Sequence, residues 1–180
     1  MPKIVNKFYM EIKRDYYLQE LIDRMHNGLI KVVTGIRRSG KSYLLFNIFR
    51  EYLLSQKVDE KHIISITLDS YENKEYRKPQ ILLPYIKSLI IDNADYYIIL
   101  DEVQMLEDFE EVLNSLMRIK NVDIYVTGSN SKFLSRDVIT EFRGRGDEIH
   151  IYPLSFSEFM SVYSGDRYDG WADYITYGGL

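Results

Sequence analysis

The chain has 180 residues, 46% of them hydrophobic, and a formal net charge of -4 at pH 7 with acids and bases interspersed along it. This is length enough for one well-buried core rather than two full domains, and there is no global basic field to favour nucleic acid or an anionic membrane, although a local basic groove stays open. The lack of cysteine excludes disulfides, thiol chemistry and cysteine zinc sites.

The opening "MPKIVNKFYMEIKRDYYLQE" is too broken by charge to be a signal peptide, and nothing later approaches the ~18 apolar residues of a membrane span. The expectation is a soluble, cytoplasmic protein. Residues 1–29 read as a helical lead-in, 30–164 as the core, and 165–180 as the start of a longer C-terminal region, because "DYITYGGL" closes on glycines just after an aromatic stretch.

Short apolar runs rich in Ile, Val and Tyr alternate with longer helical patterns. Five strands are expected: Ile30 to Thr34, His62 to Leu68, Tyr96 to Leu100, Val122 to Thr127 and Glu148 to Tyr152. Their nearly continuous apolar character suits an α/β fold with a mostly parallel sheet covered by helices on both faces. "KSYLLFNIFREYLLSQ" spaces Leu44, Leu45, Ile48, Phe49, Tyr52 and Leu53 as a helix, and "DFEEVLNSLMRI" does the same with Phe109, Val112, Leu113, Leu116 and Met117. In "QILLPYIKSLII" a helix is expected to kink or break at Pro84. Ser155 and Glu158 form a capping box before a final helix.

The chemistry-bearing stretches sit at strand ends. "GIRRSGKS" follows the first strand and satisfies G-x-x-x-x-G-K-[ST], which predicts a phosphate-binding loop running through Gly35, Ile36, Arg37, Arg38, Ser39, Gly40, Lys41, Ser42 and Tyr43. Gly35 lets the chain leave the strand, and Gly40 lets backbone amides approach a phosphate at the positive end of a helix. Lys41 would bridge the β- and γ-phosphates, and the Ser42 hydroxyl would ligate Mg²⁺. Arg37 and Arg38 fill the variable middle of the loop and are expected to point away from the phosphates. The plainer alternative is a glycine-rich turn with a surface lysine.

"YYIILDEVQ" ends a strand in Asp101, suited to hold Mg²⁺ through its water shell, and Glu102, suited to polarise an attacking water. The same pair would also suit a helix start. In "YVTGSN", Thr127, Ser129 and Asn130 stand where a γ-phosphate or lytic water could be contacted, with Asn130 chosen as the sensor and a polar turn as the alternative. "TEFRGRGDE" offers Arg143 and Arg145, read either as solvated charge or as an arginine finger. No guanine-specifying N-K-x-D follows a strand, which favours ATP over GTP, and Tyr16, Tyr17 and Leu18 could cover an adenine ring.

"GIRRSGKS", "YYIILDEVQ", "VTGSNS", "FRGRGDEIHIYPLSFSEF" and "YGGL", in this order, resemble the prokaryotic AAA-type P-loop ATPase family that joins an N-terminal ATPase domain to a C-terminal domain of unknown function. The resemblance implies a three-layer P-loop NTPase with sheet order 5-1-4-3-2, ATP and Mg²⁺ as cofactors, and ATPase activity coupled to conformational change in a larger protein. It assigns nucleotide binding to Lys41 and Ser42, the acid pair to Asp101 and Glu102, and the Gly-Arg arginine to Arg145. It also implies as partner the protein's own C-terminal domain, while the arginine-finger reading of Arg145 would add a second copy of the chain. A nucleotide-dependent switch with little hydrolysis is the alternative, and a small-molecule kinase ranks behind it for want of a lid-like arginine cluster.

Overall fold

A computed structural model describes residues 12–128 and 144–178. Its elements alternate as the apolar runs foretell. Helix α1 (Asp15–Asp23) leads into strand β1 (Ile30–Thr34). Helix α2 follows in three continuous pieces, an α-turn at Lys41–Tyr43, a π-wound stretch at Leu44–Phe49 and an α-helical end at Arg50–Ser55. Then come β2 (Ile63–Thr67), α3 (Pro79–Leu89), β3 (Tyr96–Asp101), α4 (Phe109–Leu116), β4 (Val122–Thr127), β5 (Gly146–His150), α5 (Phe156–Met160) and α6 (Arg167–Tyr177).

The five strands form one sheet in the order β2-β3-β4-β1-β5, and every pair in it is parallel. Read from the other edge this is 5-1-4-3-2, so β4 lies between the strand of the phosphate loop and the strand ending in Asp101. Consecutive strand residues point to opposite faces. Val32, Ile98 and Ile124 therefore pack with Leu82 and Ile86 of α3 and Val112, Leu113 and Leu116 of α4, while Val33, Ile99 and Tyr125 pack with Leu21 of α1 and Leu44, Leu45, Phe49 and Leu53 of α2. Two cores, one per face, make the three layers. At roughly 1.5–3 kcal/mol for each buried large side chain, they are the main source of the fold's stability.

Strand β5 and the helix containing Pro84 depart from expectation. Strand β5 starts two residues earlier than its apolar residues suggest, because Ile30 N–H bonds to the Arg145 carbonyl at 2.8 Å and sets pairing from Ile30 opposite Gly146 onward. Helix α3 runs through Pro84 without a break. Pro84 and Gln80 are both exposed, so the carbonyl deprived of its amide partner can be hydrated. The capping box forms as expected, with Ser155 Oγ accepting from Glu158 N–H and Glu158 Oε2 accepting from Ser155 N–H, but the helix it starts is not the final one, since α6 follows.

Candidate nucleotide-binding site

Because all strands are parallel, Thr34, Asp101, Thr127 and His150 finish at the same rim of the sheet, where ligands of open α/β sheets bind. The loop from Gly35 to Gly40 leaves β1 there and feeds α2. Gly35 has φ of 142° and lies so close to the next segment that a Cβ would sit 2.3 Å from the Ile151 carbonyl oxygen. Gly40, at φ of 92°, occupies the N-cap position of α2 in a left-handed conformation. Ile36, Arg37 and Arg38 are exposed, with Arg38 itself at φ of 68°, and the Ser39 hydroxyl is buried with no hydrogen-bond partner.

Lys41 is only 4% exposed, and its ammonium donates to the carbonyls of Gly35 (3.1 Å) and Ile36 (2.9 Å). Burial pushes its pKa below the ordinary lysine value, against the opposing pull of Glu102 and Asp101. Ser42 Oγ donates to Asp101 Oδ1 at 2.8 Å, and Thr127 Oγ1 donates to the same oxygen at 2.5 Å. Burial raises the Asp101 pKa, while these two hydroxyls lower it and the nearby Glu102 and Asp69 charges add to the rise.

Thr127 has a second task, accepting from Glu102 N–H at 2.9 Å. One hydroxyl therefore ties the acid pair to the end of β4. Glu102 sits at φ of 54°, where the chain turns sharply out of β3, and Gln104 Nε2 donates to its Oε2. The pairing of Ser42 with Asp101 brings together a hydroxyl and a carboxylate, hard oxygen donors of the kind Mg²⁺ takes in company with phosphates and waters. Among the described residues there is no cluster of three or more His, Cys, Asp or Glu side chains that would hold a metal without such help.

The other expected site residues fall elsewhere. Ser129, Asn130 and Arg143 lie outside the described residues. Arg145 lies just before β5, beside the start of β1, and its guanidinium donates to Asn114 Oδ1 of α4 at 2.6 Å. That is the rim opposite the phosphate loop, about 15 Å away along β1 at ~3.3 Å per residue. Tyr17 is buried with its hydroxyl accepting from Tyr152 N–H at 3.1 Å, whereas Tyr16 is exposed.

One residue of this neighbourhood carries no sequence motif. Arg14, 5% exposed, donates from Nη1 to the Ser39 carbonyl (2.9 Å) and from Nη2 to the Tyr152 carbonyl (2.8 Å). Its Nε forms an ion pair with Glu158 Oε1 at 2.9 Å without a hydrogen bond, and its guanidinium lies 4.5 Å from the Tyr17 ring centroid. The hint in the sequence is an arginine within the charged lead-in, which composition cannot tell from a solvated one.

The strand order, the loop and the acid at the end of β3 define an α/β P-loop NTPase domain. Residues 27–160 match the model of a family described as an AAA domain, and the chain belongs to that family. It is 36% identical over 175 residues to an uncharacterized protein of Haemophilus influenzae, covering 94% of this chain and 44% of the relative. It is 33% identical over 135 residues to an uncharacterized protein of Methanocaldococcus jannaschii, covering 73% and 28%. The chain thus spans less than half the length of either relative. Among solved structures it resembles a DNA polymerase III gamma subunit-related protein of Thermotoga maritima (TM-score 0.58, 12% identity, 89% of this chain and 53% of that one). It also resembles the Aeropyrum pernix ORC1 protein, solved in complex with DNA (TM-score 0.55, 13% identity, 83% and 47%). At such identities the likeness is one of fold. No helix among the described residues is long and apolar enough to cross a membrane.

Proposed function

We propose that this chain is the ATP-binding and ATP-hydrolysing domain of a larger protein, which uses the energy to change conformation. The observation that carries the reading is the 2.8 Å contact between Ser42 Oγ and Asp101 Oδ1, which joins the phosphate loop to the acid pair across the intervening strand. In this reading the loop amides and Lys41 bind the phosphates, with Lys41 Nζ exchanging its loop carbonyls for phosphate oxygens. Ser42 and Asp101 hold Mg²⁺, which when bound neutralises phosphate charge. Glu102 accepts a hydrogen bond from the attacking water and polarises it. Asn130 is assigned to sensing the γ-phosphate, and Arg145, remote from its own loop, to a neighbouring subunit's nucleotide.

The remaining assignments rest on the same reading. Residues 1–29 serve as lead-in, 30–164 as ATPase core and 165–180 as the beginning of the region through which the larger protein responds. Partners are ATP, that region and a second copy of the chain. ATP turnover by Glu102→Gln and Lys41→Ala proteins tests the proposal. Glu102→Gln should bind ATP and hydrolyse it at least about 100-fold more slowly, whereas Lys41→Ala should lose binding. Unchanged turnover in Glu102→Gln would remove that residue from the role.

A further inference from the structure

We infer that Arg14 is a positioning residue that couples phosphate binding in the loop to the seating of α5; the inference rests on the loop being a nucleotide site. A guanidinium is a planar fork with five donor hydrogens, and burying one is unfavourable unless its donors are used. Arg14 joins two regions that are far apart in the chain. Its two terminal nitrogens donate to the Ser39 carbonyl of the phosphate loop and to the Tyr152 carbonyl just after β5, and its Nε, which has no hydrogen-bond partner, forms an ion pair with Glu158 of α5.

The bond to Ser39 acts on the loop directly. In a planar trans peptide the carbonyl and the following N–H point in opposite directions. Holding the Ser39 carbonyl toward Arg14 therefore turns the Gly40 N–H away from it, presenting that amide as a donor instead of letting the peptide flip. A Cβ on Gly40 would stand 3.5 Å from Arg14 Nη1, so the side chain is close against this peptide.

At the other end, Glu158 is fully committed. Its Oε1 pairs with Arg14 Nε, and its Oε2 accepts from Ser155 N–H to close the cap of α5. A shift of the Ser39–Gly40 peptide when phosphate binds must therefore move the guanidinium, and with it the carboxylate that starts α5. The packing of Gly35 against the Ile151 carbonyl gives the loop and this segment a second contact, leaving little slack between them.

The test is nucleotide titration with a fluorescent ADP analogue together with amide hydrogen exchange over residues 155–163, on wild type, Arg14→Gln, Arg14→Lys and Glu158→Gln. The expected result is nucleotide-induced protection of 155–163 in wild type, lost in Arg14→Gln and Glu158→Gln. Affinity should fall about tenfold or more in Arg14→Gln, be partly restored in Arg14→Lys, and stay within about threefold of wild type in Glu158→Gln. A merely structural role would lower the melting temperature without removing the nucleotide-dependent change in exchange. Wild type that binds no nucleotide overturns the nucleotide reading and the coupling with it. Wild type that binds, with protection of 155–163 intact in the variants, overturns the coupling alone. If Arg14→Gln does not fold, Glu158→Gln decides by the same criterion.

Discussion

Ser42 Oγ and Asp101 Oδ1 meet at 2.8 Å although 59 positions separate them in the chain. Each is the terminal feature of a different element, the first turn of α2 and the last residue of β3, and β4 lies between β3 and the strand β1 that feeds α2. If this contact marks a cation site, Ser42→Ala should reduce the gain in nucleotide affinity that Mg²⁺ confers by about tenfold, equivalent to one charge-assisted contact, with little change in EDTA. Titrations with and without Mg²⁺ measure it. An equal loss in both conditions would place Ser42 in phosphate binding only.

Asp101 lies in surroundings that raise its pKa, burial first among them, so it gives a stability effect with a definite sign. A carboxyl whose folded pKa exceeds its unfolded value of about 3.8 contributes stability that is fully present below that value and lost as pH rises through the folded pKa. Burial therefore disfavours the charged form of this carboxyl in the folded protein. Asn at this position keeps an oxygen able to accept from Ser42 and Thr127 while shedding the charge. Asp101→Asn should melt about 2–4 °C higher than wild type at pH 7, the equivalent of ~1 kcal/mol, with the difference shrinking as pH falls toward 4. Thermal scans across that range check it, and the same variant should lose hydrolysis.

Gly35 and Gly28 both have positive φ, but their surroundings differ. A Cβ at Gly35 meets the Ile151 carbonyl at 2.3 Å, whereas one at Gly28 meets nothing within 4 Å. Gly35→Ala should therefore lose about 3 kcal/mol or more, combining backbone strain with overpacking, and Gly28→Ala about 1 kcal/mol from strain alone. Urea unfolding of the two variants separates these contributions.

Lys31 and Asp123 form a buried ion pair on the α1–α2 face, near the rim remote from the phosphate loop. Asp123 also accepts from the Tyr125 hydroxyl (2.7 Å) and His26 N–H (3.0 Å). Burial lowers the Lys31 pKa despite the facing carboxylate. Asp123→Ala leaves that ammonium uncompensated and should cost ~3–5 kcal/mol, while Lys31→Met combined with Asp123→Leu should cost much less than the two single changes summed. Equilibrium unfolding of all three proteins measures the coupling.

Arg145 and the phosphate loop stand at opposite rims of the sheet. Arg145→Ala should therefore leave nucleotide affinity within about twofold while lowering turnover by ~10³ if the residue serves a neighbour. Mixing Arg145→Ala with Lys41→Ala protein should then restore turnover, because each supplies what the other lacks. Absence of complementation in a mixture shown to co-assemble would return Arg145 to its contact with Asn114.

The fold was legible because its signals are local and periodic. The strands covered on both faces read as unbroken apolar runs, and the turn at "GIRRSGKS" has a spacing that backbone geometry requires. Strand β5 was displaced because its register is set by a bond from Ile30 to Arg145 that no local pattern reveals. Within the site, Gly35, Lys41, Ser42, Asp101 and Glu102 were legible as motif residues. Thr127 is legible in the sequence as a short polar residue at a strand end, but its bridge between Asp101 and Glu102 depends on β4 lying beside β3. Arg14 was invisible, since its partners are two backbone carbonyls and a glutamate whose sequence context announces only a helix cap.

The contact between Gly35 and Ile151 also bears on how the protein is made. Synthesis delivers the phosphate loop to the ribosome exit long before the segment that packs against it, and parallel strands cannot pair until their crossovers have emerged. The loop must therefore wait, open and solvated, for more than half of the described chain to follow. Its final shape belongs to the last folding events, so nucleotide present at that moment would favour completion by mass action.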